Sequence, residues 1–204
     1  HPVVYRPNGK GMAFALFVRP VTDGQVIEKG NRIVIKGASY LTLISSTATG
    51  FLGYDQMPLT DRKQVVQKAM QQVMDAGTDV SKLKKEHIED YKALFSRQDF
   101  SLHTDRSGRT DKLLKDPAAF QAVCELLYHY GKYLMISGSR RGGQPLNLQG
   151  QWNANIRPAW SSNYTVNINT QMNYWGASLC GLQECLEPYL RMVHEVCKRG
   201  EKTA

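Results

Sequence analysis

GGQPLNLQGQWNANIRPAWSSNYTVNINTQMNYW, residues 142–175, is the stretch from which the rest of the chain can be read. It contains all three tryptophans of the protein, Trp152, Trp160 and Trp175, and seven asparagines: Asn147, Asn153, Asn155, Asn163, Asn167, Asn169 and Asn173. Its one formally charged residue is Arg157. Flat indole faces cover the C–H faces of a sugar ring, and side-chain amides both donate and accept hydrogen bonds to hydroxyls. The composition is that of a surface for a neutral, hydroxyl-rich ligand. A connection this long inside a compact domain is usually functional or disordered, and the tryptophans argue against disorder.

Helical patterns flank the stretch. Upstream, Asp116-Pro117 is a strong helix start, with Asp as N-cap and Pro at the first helical position. The spacing predicts a helix over about 118–136, with Phe120, Val123, Leu126, Leu127, Tyr130, Leu134 and Met135 as its buried face. Ser137-Gly138-Ser139 ends it. Downstream, a helical pattern resumes near Thr170. A further helix starts at Glu187-Pro188 and stops before Gly200. Helices paired across one long loop suggest the first members of an α-helical array.

Before these helices, Thr104–Lys115 reads as a polar loop and Asp99–His103 as a short strand. Thr60 or Asp61 caps a helix to about Ala76, with Val65, Val66, Ala69, Met70, Val73 and Met74 on one face and Gly77 as its stop. Asp79 or Ser81 starts another through about Ser96. His87 and Asp90 share a face of that helix. No nucleophile is placed beside them, so a structural polar contact is the better reading than a catalytic pair.

Residues 1 to about 57 read as β. Met12–Arg19, Gln25–Glu28, Arg32–Lys36 and Leu41–Ser46 are short apolar or alternating runs, separated by Thr22-Asp23-Gly24, Lys29-Gly30-Asn31 and Gly37-Ala38. They are expected to form an antiparallel meander. The meander is too short to close a barrel or complete a sandwich, and its open edge calls for further strands. The chain opens on His1-Pro2-Val3-Val4-Tyr5, itself strand-like, rather than on Met. The expectation is therefore a piece of a longer polypeptide.

The 204 residues carry a net charge of +8, but the excess is diffuse. Residues 1–60 hold six Lys/Arg against three Asp/Glu. The densest run, Lys82-Leu83-Lys84-Lys85, meets Glu86, Glu89 and Asp90 at once, which is a solvated helix face and not a nucleic-acid patch. Cys124, Cys180, Cys185 and Cys197 have no CxxC spacing and no clustered His, so no metal is expected. No apolar run is long enough to span a membrane.

Several runs together closely resemble family 95 glycoside hydrolases. They are Tyr130-Gly131-Lys132-Tyr133-Leu134-Met135-Ile136-Ser137, Ser139-Arg140, Pro145 through Asn153, Pro158-Ala159-Trp160, Tyr164 through Trp175, and Leu186-Glu187-Pro188. Upstream, Gly11-Met12, the strands to Thr49, and His87 through Arg97 are similar to the end of that family's N-terminal β-domain and its helical linker. The resemblance implies an α+β fragment: antiparallel strands followed by helices that would begin an (α/α)6 barrel. By the same likeness, 1–57 is the C-terminal part of a β-sandwich-type domain, 58–115 a helical linker, and 116–204 the first barrel helices. Arg141 and Gly176 stand where the family commonly has Pro, and Gln151 replaces an apolar residue.

The family's members are inverting 1,2-α-L-fucosidases, with some α-L-galactosidases among them. Inversion needs an acid for the leaving oxygen and a base for water on the opposite face of the sugar. An asparagine is a poor base, but its carbonyl oxygen can aim a water. Asn167 and Asn169 would point to one side if their segment is extended. The resemblance implies that this pair is catalytic, that an Asp supports it, and that a Glu acts as general acid, both carboxylates lying beyond Ala204. From the residues alone, helix capping or Asx-turn bonding explains the pair equally well.

Trp152 and Trp160 are candidates for a ring-stacking wall, though simple core packing is the usual fate of Trp. Asn147, Gln149 and Asn153 either bond sugar hydroxyls or brace the loop. No cofactor is implied. The implied partner is a fucosylated oligosaccharide or glycan, and the implied location is periplasmic or extracellular. A different class remains open: a non-catalytic carbohydrate-binding module using the same Trp/Asn surface. The loop itself contains no carboxylate, which within these residues favours binding without turnover.

Overall fold

The computed structural model describes residues 11–105 and 107–204, so the strand expected at the N-terminus lies outside the described residues. Among the described residues, four strands precede six α-helices: β1 (Phe14–Thr22), β2 (Gln25–Lys29), β3 (Arg32–Lys36), β4 (Leu41–Thr49), α1 (Arg62–Ala76), α2 (Val80–Phe95), α3 (Thr110–Leu113), α4 (Phe120–Gly138), α5 (Asn169–Leu179) and α6 (Glu187–Gly200). The chain divides into two units, His1–Lys85 and Glu86–Ala204.

In the first unit the strands do not form the expected meander. β1 pairs antiparallel with β4, from Phe14 opposite Thr49 to Thr22 opposite Leu41. β2 pairs antiparallel with β3. The hairpin is therefore nested, each outer strand finding the other across the inner pair. The inner turn is made by Gly30, whose φ of 61° is the left-handed conformation that glycine adopts without Cβ penalty. At the junction of the two pairs, the Asp23 carboxylate accepts from Ser39 N–H at 2.9 Å and from the Ser39 hydroxyl at 2.5 Å. These bonds pin the crossover, which turn chemistry alone did not reveal.

Asp61 caps α1, accepting from Lys63 N–H at 2.9 Å, and Gly77 ends it with φ of 73°. Val65, Ala69 and Val73, spaced by one turn, are buried. Val65 and Ala69 pack with Ala13 and Ala48, flanked by Ala15, Phe17 and Leu59. Val66, Met70 and Met74, expected on the same face, are exposed.

The second unit has its own core of Leu94, Met135, Ile136, Leu146, Tyr174, Ala177, Leu182 and Cys185, flanked by Tyr91, Phe95, Cys180, Leu186 and Tyr189. Asp116 accepts from Ala118 N–H at 2.9 Å and opens a single 3₁₀ turn, Pro117–Ala119, ahead of α4. The face expected to be buried on α4 is largely not: Phe120, Leu127 and Tyr130 are exposed, whereas Ala122, Glu125, Lys132, Met135 and Ile136 are buried. Periodicity locates a stripe but not the neighbour that covers it.

Asp99–His103 is irregular and not a strand. Its backbone groups are taken by side chains of α4. Glu125 accepts from Leu102 N–H, and His129 Nε2 lies 3.1 Å from the Phe100 carbonyl. Cys185 is buried and Cys180 half-buried, both as free thiols.

Candidate active site

The root of the long loop is held by a buried chain of hydroxyls. The Ser139 hydroxyl donates to the Cys185 carbonyl at 2.8 Å. Its one proton is thereby used, so the Tyr174 hydroxyl, 2.8 Å away, donates to Ser139 Oγ. The same tyrosine oxygen accepts from Leu146 N–H at 2.8 Å. Tyr174 is only 4% exposed, and burial pushes its phenol above the ordinary tyrosine range. Gly138 permits the close approach, since a Cβ there would sit 2.6 Å from Leu146 Cδ2. Gln151 Nε2 donates to the Gly138 carbonyl at 3.1 Å, tying the far side of the loop to the end of α4.

Charged groups hold the flanks. Arg140 pairs with Asp90 at 2.5 Å, which is the structural contact expected for Asp90. The Glu187 carboxylate accepts from Gly142 N–H at 3.0 Å and from Arg191 at 2.9 Å, and Arg191 also donates to the Gly143 carbonyl. Glu184 pairs with Arg97 at 2.7 Å, and that hydrogen bond pulls its carboxyl down to about 2. Both glutamates are therefore structural.

A cleft of about 660 Å³ opens between α4 and the loop. Tyr130, Tyr133 and Trp152 line it, with Gln149, Gln151 and Asn173 supplying amides and Leu134, Met135, Leu146 and Leu148 the apolar floor. The Tyr133 and Trp152 rings lie within 13° of parallel at 6.4 Å, and Tyr130 and Tyr133 within 21° at 6.0 Å. All three rings are half-exposed. Among the described residues, no carboxylate and no other charged group lines this cleft.

The residues singled out in the sequence separate here. Gln149 and Trp152 line the cleft. Trp160 does not; it is 80% exposed, in a left-handed turn where Trp160, Ser161 and Ser162 have φ of 56°, 55° and 48°. The Asn147 amide oxygen is occupied within the loop, accepting from Gln149 N–H at 3.1 Å and from the Ser162 hydroxyl at 2.8 Å. Asn153 donates to Gln149 Oε1 and accepts from Asn155 N–H at 2.8 Å.

Asn167 and Asn169 behave differently. The segment is not extended: Val166-Asn167-Ile168 forms a turn, and Asn169 is the first residue of α5. Spacing by two therefore does not by itself align their side chains. Neither side chain caps the helix, for the N-cap is Ile168 and carries no side-chain hydrogen bond. The turn is closed instead by Thr170, whose N–H and hydroxyl reach the Thr165 carbonyl at 3.0 and 3.2 Å. Both asparagines are exposed, and among the described residues their amides carry no hydrogen bond. The residues that hold the site together without having been singled out are Tyr133, Asn173, Ser139 and Tyr174. Their importance lies in tertiary hydroxyl, amide and ring contacts that carry no sequence period.

The Glycosyl hydrolase family 95 catalytic domain matches residues 79–204. Alpha-L-fucosidase 2 of Arabidopsis thaliana is 32% identical over 210 residues, which is 96% of this chain and 25% of that protein. Probable alpha-fucosidase A of Aspergillus oryzae is 30% identical over 213 residues, 96% of this chain and 29% of that protein. Probable alpha-fucosidase A of Aspergillus niger is 39% identical over 131 residues, 61% of this chain and 16% of that protein. The chain belongs to glycoside hydrolase family 95. It spans about a quarter of the length of the Arabidopsis relative.

Proposed function

We propose that this chain is part of a glycoside hydrolase that removes terminal α-1,2-linked L-fucose from oligosaccharides or glycans with inversion at the anomeric carbon. The observation that carries the reading is the state of two amides. Asn167 and Asn169 stand exposed at the opening of α5, while the amides of Asn147 and Asn153 are bonded within the loop. In this reading the two carbonyl oxygens accept hydrogen bonds from one water and direct its lone pair at the anomeric carbon. A carboxylate supporting them from outside this chain would make the water more nucleophilic, and a second, also outside it, would protonate the leaving oxygen. The aglycone lies in the cleft, with Trp152 against a sugar face and Gln149 bonding hydroxyls; Trp160 is a more distant contact. No metal or cofactor has a step in this scheme. A periplasmic or extracellular setting suits such substrates.

Among the described residues the cleft is lined by rings and amides without a carboxylate, which supports a second reading, a carbohydrate-binding module without turnover. Proton NMR of the full-length gene product with 2'-fucosyllactose separates the two. Initial release of β-fucose supports the inverting hydrolase. Release of α-fucose contradicts inversion, and binding without release supports the module.

A further inference from the structure

We propose that Tyr174 and Asn173 are positioning residues: a two-point clasp from the second turn of α5 onto the loop root sets where Asn167 and Asn169 stand. The inference rests on the role proposed above for those asparagines. The asparagines have no side-chain bonds of their own among the described residues, so their location is inherited from the backbone that carries them. That backbone is the turn at 166–168 and the first turn of α5.

Two adjacent residues of α5 grip two adjacent residues of the loop. Tyr174 accepts from Leu146 N–H at 2.8 Å, and Asn173 Nδ2 donates to the Asn147 carbonyl at 3.0 Å. The gripped segment then holds the return of the loop. Asn147 Oδ1 accepts from the Ser162 hydroxyl at 2.8 Å, and Leu148 N–H donates to the Asn163 carbonyl at 3.1 Å. From Asn163 the chain runs through Tyr164, whose hydroxyl donates to the Pro145 carbonyl at 3.2 Å, directly into the turn. The turn is therefore fixed from both ends. α5 is docked on Leu146 and Asn147 through Tyr174 and Asn173, and the incoming chain is docked on Pro145, Asn147 and Leu148 of the same segment.

Asn173 also lies one helical turn beyond Asn169, so the two side chains share a face of α5. A small rotation of α5 that broke the Asn173 contact would swing Asn169 as well. Positioning errors of about 1 Å can cost on the order of a hundredfold in rate, so a clasp of this kind acts on turnover more than on affinity. Its two bonded partners on α5 differ in depth: Tyr174 is buried, Asn173 half-buried.

The test is a double-mutant cycle in kcat on the full-length gene product with 2'-fucosyllactose, joining Tyr174→Phe to Asn169→Ala. Tyr174→Phe alone is expected to lower kcat roughly tenfold or more while KM changes little. In the Asn169→Ala background the same substitution is expected to cost clearly less than it does alone, because its effect through Asn169 is already lost and only that through Asn167 remains. Asn173→Ala is run in parallel and gives the same non-additivity even if Tyr174→Phe does not fold. Independent, multiplicative losses overturn the clasp, as does an unchanged kcat in Tyr174→Phe and Asn173→Ala. If Asn169→Ala retains normal turnover, the role of the asparagines falls first and the clasp with it.

Discussion

Lys132 donates from the middle of α4 to the carbonyl of Phe95, the last residue of α2, at 2.7 Å, and also to the Gln98 carbonyl. Its ammonium sits 4.7 Å from the Phe95 ring centre and 5.8 Å from that of Tyr128. Burial pulls the amine below the ordinary lysine range. The carbonyls and ring faces compensate for that burial, and the ammonium supplies the donor for the last carbonyl of α2, the three before it being bonded by Ser96 and Arg97. Lys132→Met keeps the apolar stem and strands both carbonyls. The expected loss is about 2 kcal/mol of unfolding free energy, read as a lower denaturant midpoint. A change within about 0.5 kcal/mol would class Lys132 with ordinary surface substitutions.

Glu184 provides a pH signature. Arg97 holds its carboxyl at about 2, below the ordinary 4.5. The folded value is depressed, so the pair's contribution is complete above the ordinary carboxylate range and is lost as pH falls from about 4.5 toward 2. A carbon-detected NMR titration should place the Glu184 midpoint near 2 and return it toward 4.5 in Arg97→Ala. An unchanged midpoint in that variant would rule out Arg97 as the cause.

Trp152→Ala removes one ring of the Tyr130–Tyr133–Trp152 row. If the cleft holds the aglycone, KM for 2'-fucosyllactose in the full-length gene product rises roughly three- to tenfold while kcat is less affected. Trp160→Ala, outside the cleft, should change KM less. Equal effects would mean that the cleft is not where the glycan lies.

Much of the fold could be read in the sequence because helix ends are local chemistry. Asp61, Asp79 and Asp116 cap where their spacing predicted, accepting backbone N–H groups within three residues. Strand pairing was less legible. The turns at 22–24 and 37–38 fit a meander as well as a nested hairpin, and the decision rests on Asp23 reaching Ser39. The buried face of α4 was misread for a related reason. Its polar stripe, Glu125 and Lys132, turns inward because the backbone at 95–102 needs partners, and charged side chains rarely advertise that in sequence. At the loop, composition pointed to a sugar surface. It could not tell Asn147, whose amide oxygen is bonded within the loop, from Asn167 and Asn169, whose amides are left open.

The central claim is that these two open amides direct the attacking water. Its most direct test is steady-state hydrolysis of 2'-fucosyllactose by Asn167→Ala and Asn169→Ala in the full-length gene product, with substrate binding measured separately by calorimetry. Turnover is predicted to fall roughly a hundredfold or more in each variant, with the dissociation constant nearly unchanged. Near-normal turnover in both single variants would contradict the claim.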